Sequence, residues 1–148
     1  MAAELAYEDG VAQVFSTQTE WHREGKFIPK GLSFDEAINV VNFDYPLEKR
    51  PHFVPNDPSN LDAGYKEAGD SHYIYRPDTN KILGRVGDNY EIVSNHEAFE
   101  ILKPLVDCGH LSLETGGVLR DGADAWLLGR WDFSKFGPEV KEVFGKAG

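Results

Sequence analysis

The dipeptide Asp121-Gly122, set between two runs of strand-forming residues in LSLETGGVLRDGADAWLLGRW, constrains the fold more than any other feature. A two-residue type I′ turn needs positive φ at both central positions, and Asp-Gly supplies it at little cost. Counting outward from that turn sets a register in which Leu119 faces Asp124, Gly117 faces Trp126 and Gly116 faces Leu127. The two glycines therefore stand where the facing strand carries bulky side chains. Alternation places Leu111, Leu113, Thr115, Gly117 and Leu119 on one face, joined by Trp126 and Leu128, and this is the expected core face. Ala125, Leu127 and Trp131 make the second strand apolar on its other side too, which predicts a central place in the sheet.

HYIYRPDTNKILGRV predicts a second hairpin. Tyr73, Ile74, Tyr75, Ile82 and Leu83 favour strands, and Pro77 to Asn80 supply a four-residue turn. That loop length sets Tyr75 opposite Ile82 and Tyr73 opposite Gly84, a ring shielding bare backbone. YPLEKRPHFV, from Tyr45, reads as extended, and PNDPSNLDAGYKEAGD reads as a surface loop rich in turn formers.

Two helices are expected, each opened by a capping box. In LSFDEAINVVNF, Ser33 and Glu36 form the box, and Phe34, Ile38 and Val41 form the buried stripe. GRVGDNYEIVSNHEAFEIL reads as a strand, a tight turn at Gly87-Asp88-Asn89 in left-handed backbone, a short strand through Tyr90, Ile92 and Val93, and then a helix. Ser94 and Glu97 form its box, and Pro104 kinks or shortens it. The free amides at its start, around Ser94, Asn95 and His96, are a candidate anion site. Gly84 and Gly87 do not match a KH clamp between helices, a dinucleotide fingerprint or a Walker loop. The first thirty residues read as an arm anchored by Trp21, Phe27 and Ile28, with Gly25, Pro29 and Gly31 preventing long regular structure. A final helix is expected from Pro138.

These elements make one α+β domain over residues 1–148: antiparallel β-hairpins forming one sheet, with about two capped helices packed on it. The chain carries 25 acidic and 15 basic residues, net −10, so a whole-surface grip on nucleic-acid phosphates is unfavourable. A single cysteine, Cys108, allows no disulfide within the chain and suits a reducing cytoplasm. No apolar run approaches the ~20 residues that cross a bilayer, and MAAELAYEDG lacks the features of a signal peptide. The expected location is cytoplasmic, with no membrane partner.

Catalytic and metal signatures do not assemble. Cys108-Gly109-His110 is a ligand pair without a second pair to complete it, and a cysteine placed after a helix reads as a small buried hydrophobe. There is no nucleophile elbow, and no cofactor is implied. Local clusters of cations and rings remain as candidates for single-stranded nucleic acid, where base stacking contributes ~1–3 kcal/mol per base. Trp21 lies in a run with Arg23, Lys26 and Lys30, and Glu48 to Phe53 holds Lys49, Arg50 and His52. Tyr73, Tyr75, Arg76, Lys81 and Arg85 share the Tyr73 hairpin. The competing reading is that these cations only guard strand edges.

The order of TEWHREG, LSFDEAINVV, ILGRVGDNYEIVSNHEAFEIL and ETGGVLRDGADAWLLGRW, from about Thr19 to Trp131, resembles the N-terminal half of the DUF932 family of phage- and plasmid-encoded proteins of unknown function. Gly84, Val86, Gly87, Tyr90, Val93, Asn95, Glu97, Ala98 and Phe99 match its pattern; Trp21, His22, Gly116 and the Trp126 strand match more loosely. The resemblance implies a mobile-element origin in a bacterial host and a longer family domain of which this chain is the first part. It supplies no catalytic residue. The expected function is that of a non-catalytic accessory protein in DNA transactions, touching single strands. The alternative is an acidic protein-interaction module acting on a host or phage protein, and an uncharacterised enzyme is third.

Overall fold

In the computed structural model, residues 4–17 and 25–139 are described. Among the described residues, nine strands and three short α-helices give an α+β fold, but the strands divide into three sheets rather than one. A small ribbon joins β1 (Tyr7–Glu8) and β2 (Val11–Ala12). The four-stranded sheet has the order β4-β3-β8-β9, from β3 (Val14–Ser16), β4 (Lys26–Phe27), β8 (Leu111–Leu119) and β9 (Asp124–Trp131). The three-stranded sheet has the order β5-β6-β7, from β5 (Glu48–Pro55), β6 (Tyr65–Arg76) and β7 (Lys81–Gly87).

The β8–β9 hairpin follows the turn chemistry. Asp121 and Gly122 take φ of 59° and 111°, and the Ala123 amide donates to the Arg120 carbonyl at 3.1 Å, closing the type I′ turn. Leu119 faces Asp124, Gly117 faces Trp126 and Gly116 faces Leu127, as the count from the turn requires. Beyond that the expectation fails at one residue. A bulge at Glu114 between Leu113 and Thr115 reverses the parity of β8. Leu111 and Leu113 stay in the core, but Val118 replaces Leu119 there, and on β9 it is Ala125 and Leu127 that pack inward. Trp126 and Leu128 turn to the outer face, where Leu128 is exposed. The strand β9 is also an edge, not a central strand.

The inner position belongs to β3, in the segment read from sequence as an arm. It pairs antiparallel with β8 and parallel with β4, and its Val14 and Phe15 are fully buried. Ile28 is buried as expected, whereas Phe27 is exposed. Trp21 lies outside the described residues.

Helix α1 (Phe34–Ile38) and helix α2 (Asn95–Glu100) each carry the reciprocal capping box, at Ser33–Glu36 and Ser94–Glu97. Both Glu36 and Glu97 are held below the usual carboxylate range, chiefly by hydrogen bonds from their serines. Pro104 does more than kink α2: it sits in the first turn of a separate helix, α3 (Lys103–Asp107), which has no side-chain cap. Phe34, Ile38 and Val41 are buried as the stripe requires, and they close with Phe15, Phe43, Val106 and Val118 into one core against the four-stranded sheet. Each such ring contributes ~1.5–3 kcal/mol on leaving water.

Two more segments differ from expectation. YKEAGD is the start of β6, and its first three residues, Tyr65 to Glu67, pair back on the end of β5, so the loop ends at Gly64. Residues 90–94 form no strand, and Gly84, Gly87 and Asn89 do not take positive φ. The Lys49 ammonium ties this stretch down by donating to the carbonyls of Asp88 and Tyr90. At the C-terminal limit, residues 138–139 are helical where Pro138 predicts a helix, and residues 140–148, over which that helix would continue, lie outside the described residues.

Candidate nucleic-acid interface

Residues paired across antiparallel strands share a face, their Cβ atoms ~4.5–5.5 Å apart. On the three-stranded sheet this rule assembles a row. Arg50 of β5 faces Tyr73 of β6, and Tyr73 faces Arg85 of β7. The next row on the same face is Glu48, Tyr75 and Ile82. The expected pair of Tyr75 with Ile82 is present. Tyr73 does not cover Gly84, however, because a bulge at Leu83 moves Ile74 opposite that glycine. The bulge is what brings Arg85 level with Tyr73.

The rings of this face are held in place by their neighbours. The Arg50 guanidinium lies 3.7 Å over the Tyr75 ring, an edge of it paired at 2.7 Å with Glu48. The His52 ring packs at 4.4 Å from Tyr73, and its Nδ1 is 3.1 Å from the Ser71 hydroxyl. The Tyr75 hydroxyl donates to the Asn80 side chain in the turn. Tyr73 and Tyr75 stay half-buried while Arg50, Ile82 and Arg85 are exposed. Planar guanidinium and ring surfaces of this type accept unstacked bases.

Arg76 and Lys81 leave the group. They pair with each other across the ladder on the opposite parity, facing the rest of the protein. Arg76 is buried; it donates to both Asp78 carboxylate oxygens and to the Asp121 carbonyl, and stacks 4.0 Å over Tyr45. Lys81 is paired with Asp121 at 3.5 Å. Arg76 is thus the joint between the two large sheets. The buried Tyr45 hydroxyl completes it, donating to the Gly122 carbonyl at 2.6 Å and accepting from Asn95 at 2.8 Å. Burial pushes the Tyr45 phenol up.

At the start of α2 the Ser94 and Glu97 amides and the Asn95 side chain are occupied internally. The Glu97 amide donates to the Ser94 hydroxyl and the Ser94 amide to the Glu97 carboxylate. Asn95 donates to the Phe43 carbonyl and to Tyr45, and His96 meets the Phe34 ring edge-on. Asn95 thus anchors the helix to the joint around Tyr45. Cys108, expected to be buried, is exposed with its sulfur 2.7 Å from His110 Nδ1. Among the described residues no cluster of three or more His, Cys, Asp or Glu side chains is placed to hold a metal. Among those residues, too, no helix is long and apolar enough to cross a membrane.

Sequence reasoning noted Arg50 and His52 only as a separate cluster, since nothing local says that β5 lies beside β6. The structure brings together Tyr73, Tyr75 and Arg85 with those two residues, removes Arg76 and Lys81 to the other side, and leaves Trp21 outside the described residues.

No curated protein and no solved structure matches this chain. A family model does match, over the C-terminal part that begins in β7, passes through α2 and α3 and takes in the whole β8–β9 hairpin; it does not extend back to Thr19, where the resemblance begins. Residues 82–142 match the family described as Domain of unknown function (DUF932).

Proposed function

We propose that the outer face of the β5-β6-β7 sheet binds single-stranded nucleic acid, and that the protein serves as a non-catalytic accessory in the DNA transactions of a phage or plasmid, the setting its family resemblance implies. The observation that carries this reading is the cross-strand row Arg50–Tyr73–Arg85, with Tyr75 beside it under the Arg50 guanidinium. Bases stack on rings and guanidinium planes whatever their identity, and the cations meet the backbone. In a chain of net −10 such a face works locally against a repelling field, so binding is expected to be moderate and steeply salt-dependent. The test is a titration of labelled single-stranded DNA at low salt, repeated as salt rises. Tyr73→Ala is expected to weaken binding by about 5- to 150-fold, the equivalent of ~1–3 kcal/mol. Absence of binding at low salt ends this reading.

A second reading, contact with a host or phage protein, is favoured by the far edge of the four-stranded sheet. Leu128, Trp131 and Phe133 are exposed on and just beyond β9, a strand with one open edge. A bacterial-lysate protein retained by the immobilised chain and lost with Leu128→Glu would support this reading; no retained protein, or one retained equally by the variant, counts against it.

A further inference from the structure

The ladder between β5 and β6 is broken beside Tyr73. Pro51 faces His72, but Phe53 faces Glu67, so residues 68–71 of β6 have no partner on β5. The gap is an open cleft of about 410 Å³ whose polar wall is His52, Asp70, Ser71 and Arg85. That volume lies within the range of small-ligand sites, ~300–1,000 Å³. Its cation is distinctive. Arg50, Arg76, Arg120 and Arg130 each hold a carboxylate, whereas Arg85 is exposed and has no ion pair among the described residues. In a chain with this excess of acids, an arginine left without a counter-ion at the mouth of a cleft is available to an anion from outside. Ser71 is buried to 9% exposure, and its hydroxyl is positioned by His52.

We propose that this cleft is a phosphate subsite, in which Arg85 and the Ser71 hydroxyl donate to the oxygens of one phosphate while the adjoining base lies against the Tyr73 row. It rests on the single-strand reading above and adds where the backbone is gripped. Tyr73 pairs directly with Arg85, so ring and cation are one cross-strand step apart. Asp70 is the opposing charge in the wall, and it sets a limit on affinity that can be lifted.

The test uses the whole chain, labelled with ¹⁵N, titrated with inorganic phosphate at constant ionic strength. Phosphate is expected to shift the Ser71 and Gly87 amides and the Arg85 Nε. Arg85→Gln and Ser71→Ala each diminish the shifts, and Asp70→Asn lowers the phosphate concentration needed. Arg85→Gln is also expected to reduce the salt slope of oligonucleotide binding by about 0.7, the loss of one single-strand phosphate contact. A tighter complex with 5′-phosphorylated than with 5′-hydroxyl DNA identifies a terminal phosphate; equal affinity identifies an internal diester. No phosphate-dependent shift at Ser71, Gly87 or Arg85, or shifts unchanged in Arg85→Gln, overturns the subsite. Oligonucleotide binding that keeps its full salt slope in Arg85→Gln overturns the subsite while leaving the single-strand reading standing. Phosphate shifts at these residues with no oligonucleotide binding do the reverse.

Discussion

Gly117 in the four-stranded sheet lies under the indole of Trp126; Gly84 in the three-stranded sheet lies under nothing within 4 Å. A Cβ at Gly117 would meet the Trp126 ring and stand 2.8 Å from the Gln13 carbonyl, and one at Gly116 would stand 2.5 Å from Leu127 and 2.8 Å from Phe15. Aromatic and branched side chains there fill the space that glycine leaves, so the sheet is closed by packing at these two positions. In the three-stranded sheet the rings stand beside cations instead, Tyr75 under the Arg50 guanidinium and Tyr73 level with Arg85 across the ladder, and the face is open. The same residue types, ring and glycine, thus do opposite work: one sheet lays a ring over its glycine and closes the gap, and the other leaves its glycine bare and holds its rings at the surface, where a partner can reach them.

Arg76 joins the two sheets, and its removal is expected to have the largest effect. Arg76→Ala takes away the donors to Asp78 and the Asp121 carbonyl and the lid over Tyr45. Breaking a buried ion pair costs ~3–5 kcal/mol, and the low end applies because Asp78, with 30% of its side chain exposed, can be rehydrated. Urea denaturation measures it. A loss below about 1 kcal/mol would mean that the sheets are joined by something other than this arginine.

Next in size is the contrast between the glycines themselves. Gly117→Ala is expected to destabilise by about 1–3 kcal/mol, since the Gln13 carbonyl is backbone and cannot swing aside. Gly84→Ala should stay within ~0.5 kcal/mol, as surface substitutions with room do. Equal midpoints for the two variants would erase the distinction between a sealed sheet and an open one.

How much of this was legible in the sequence depends on the range of the signal. Turn chemistry and capping are local, so the Asp121-Gly122 register and both capping boxes could be read directly. The parity of β8 could not, because the bulge at Glu114 answers to how β8 packs and carries no turn residue of its own. Nor could β3: all three of its residues pair with Thr115, Gly116 and Gly117, about a hundred positions away. The candidate interface shows both cases. Tyr73 and Tyr75 announce themselves as strand rings. The company they keep depends on the bulge at Leu83 and on β5 returning beside β6 across the 56–64 connection. Arg76 is the sharpest example: adjacent to Tyr75 in sequence, it lies on the other face, where alternation carries it into the joint.

The smallest expected effect concerns that joint and pH. Hydrogen bonds from Arg76 hold the Asp78 carboxyl below its ordinary value of 3.8. A carboxyl whose folded-state value is depressed binds its proton more weakly folded than unfolded. The stability it contributes is therefore complete above the ordinary value and is lost as pH falls through the folded one. At neutral pH, Asp78→Asn should cost about 1 kcal/mol, as for a charge-assisted pair with partial access to water. Below pH 3.8 the gap between wild type and variant should narrow, since protonation removes from the wild type the charge that the variant already lacks. Thermal melts of both proteins across that interval measure the gap. A gap that stays constant to the acid limit would show that Asp78 acts through shape alone, and that the joint between the sealed and the open sheet is not electrostatic.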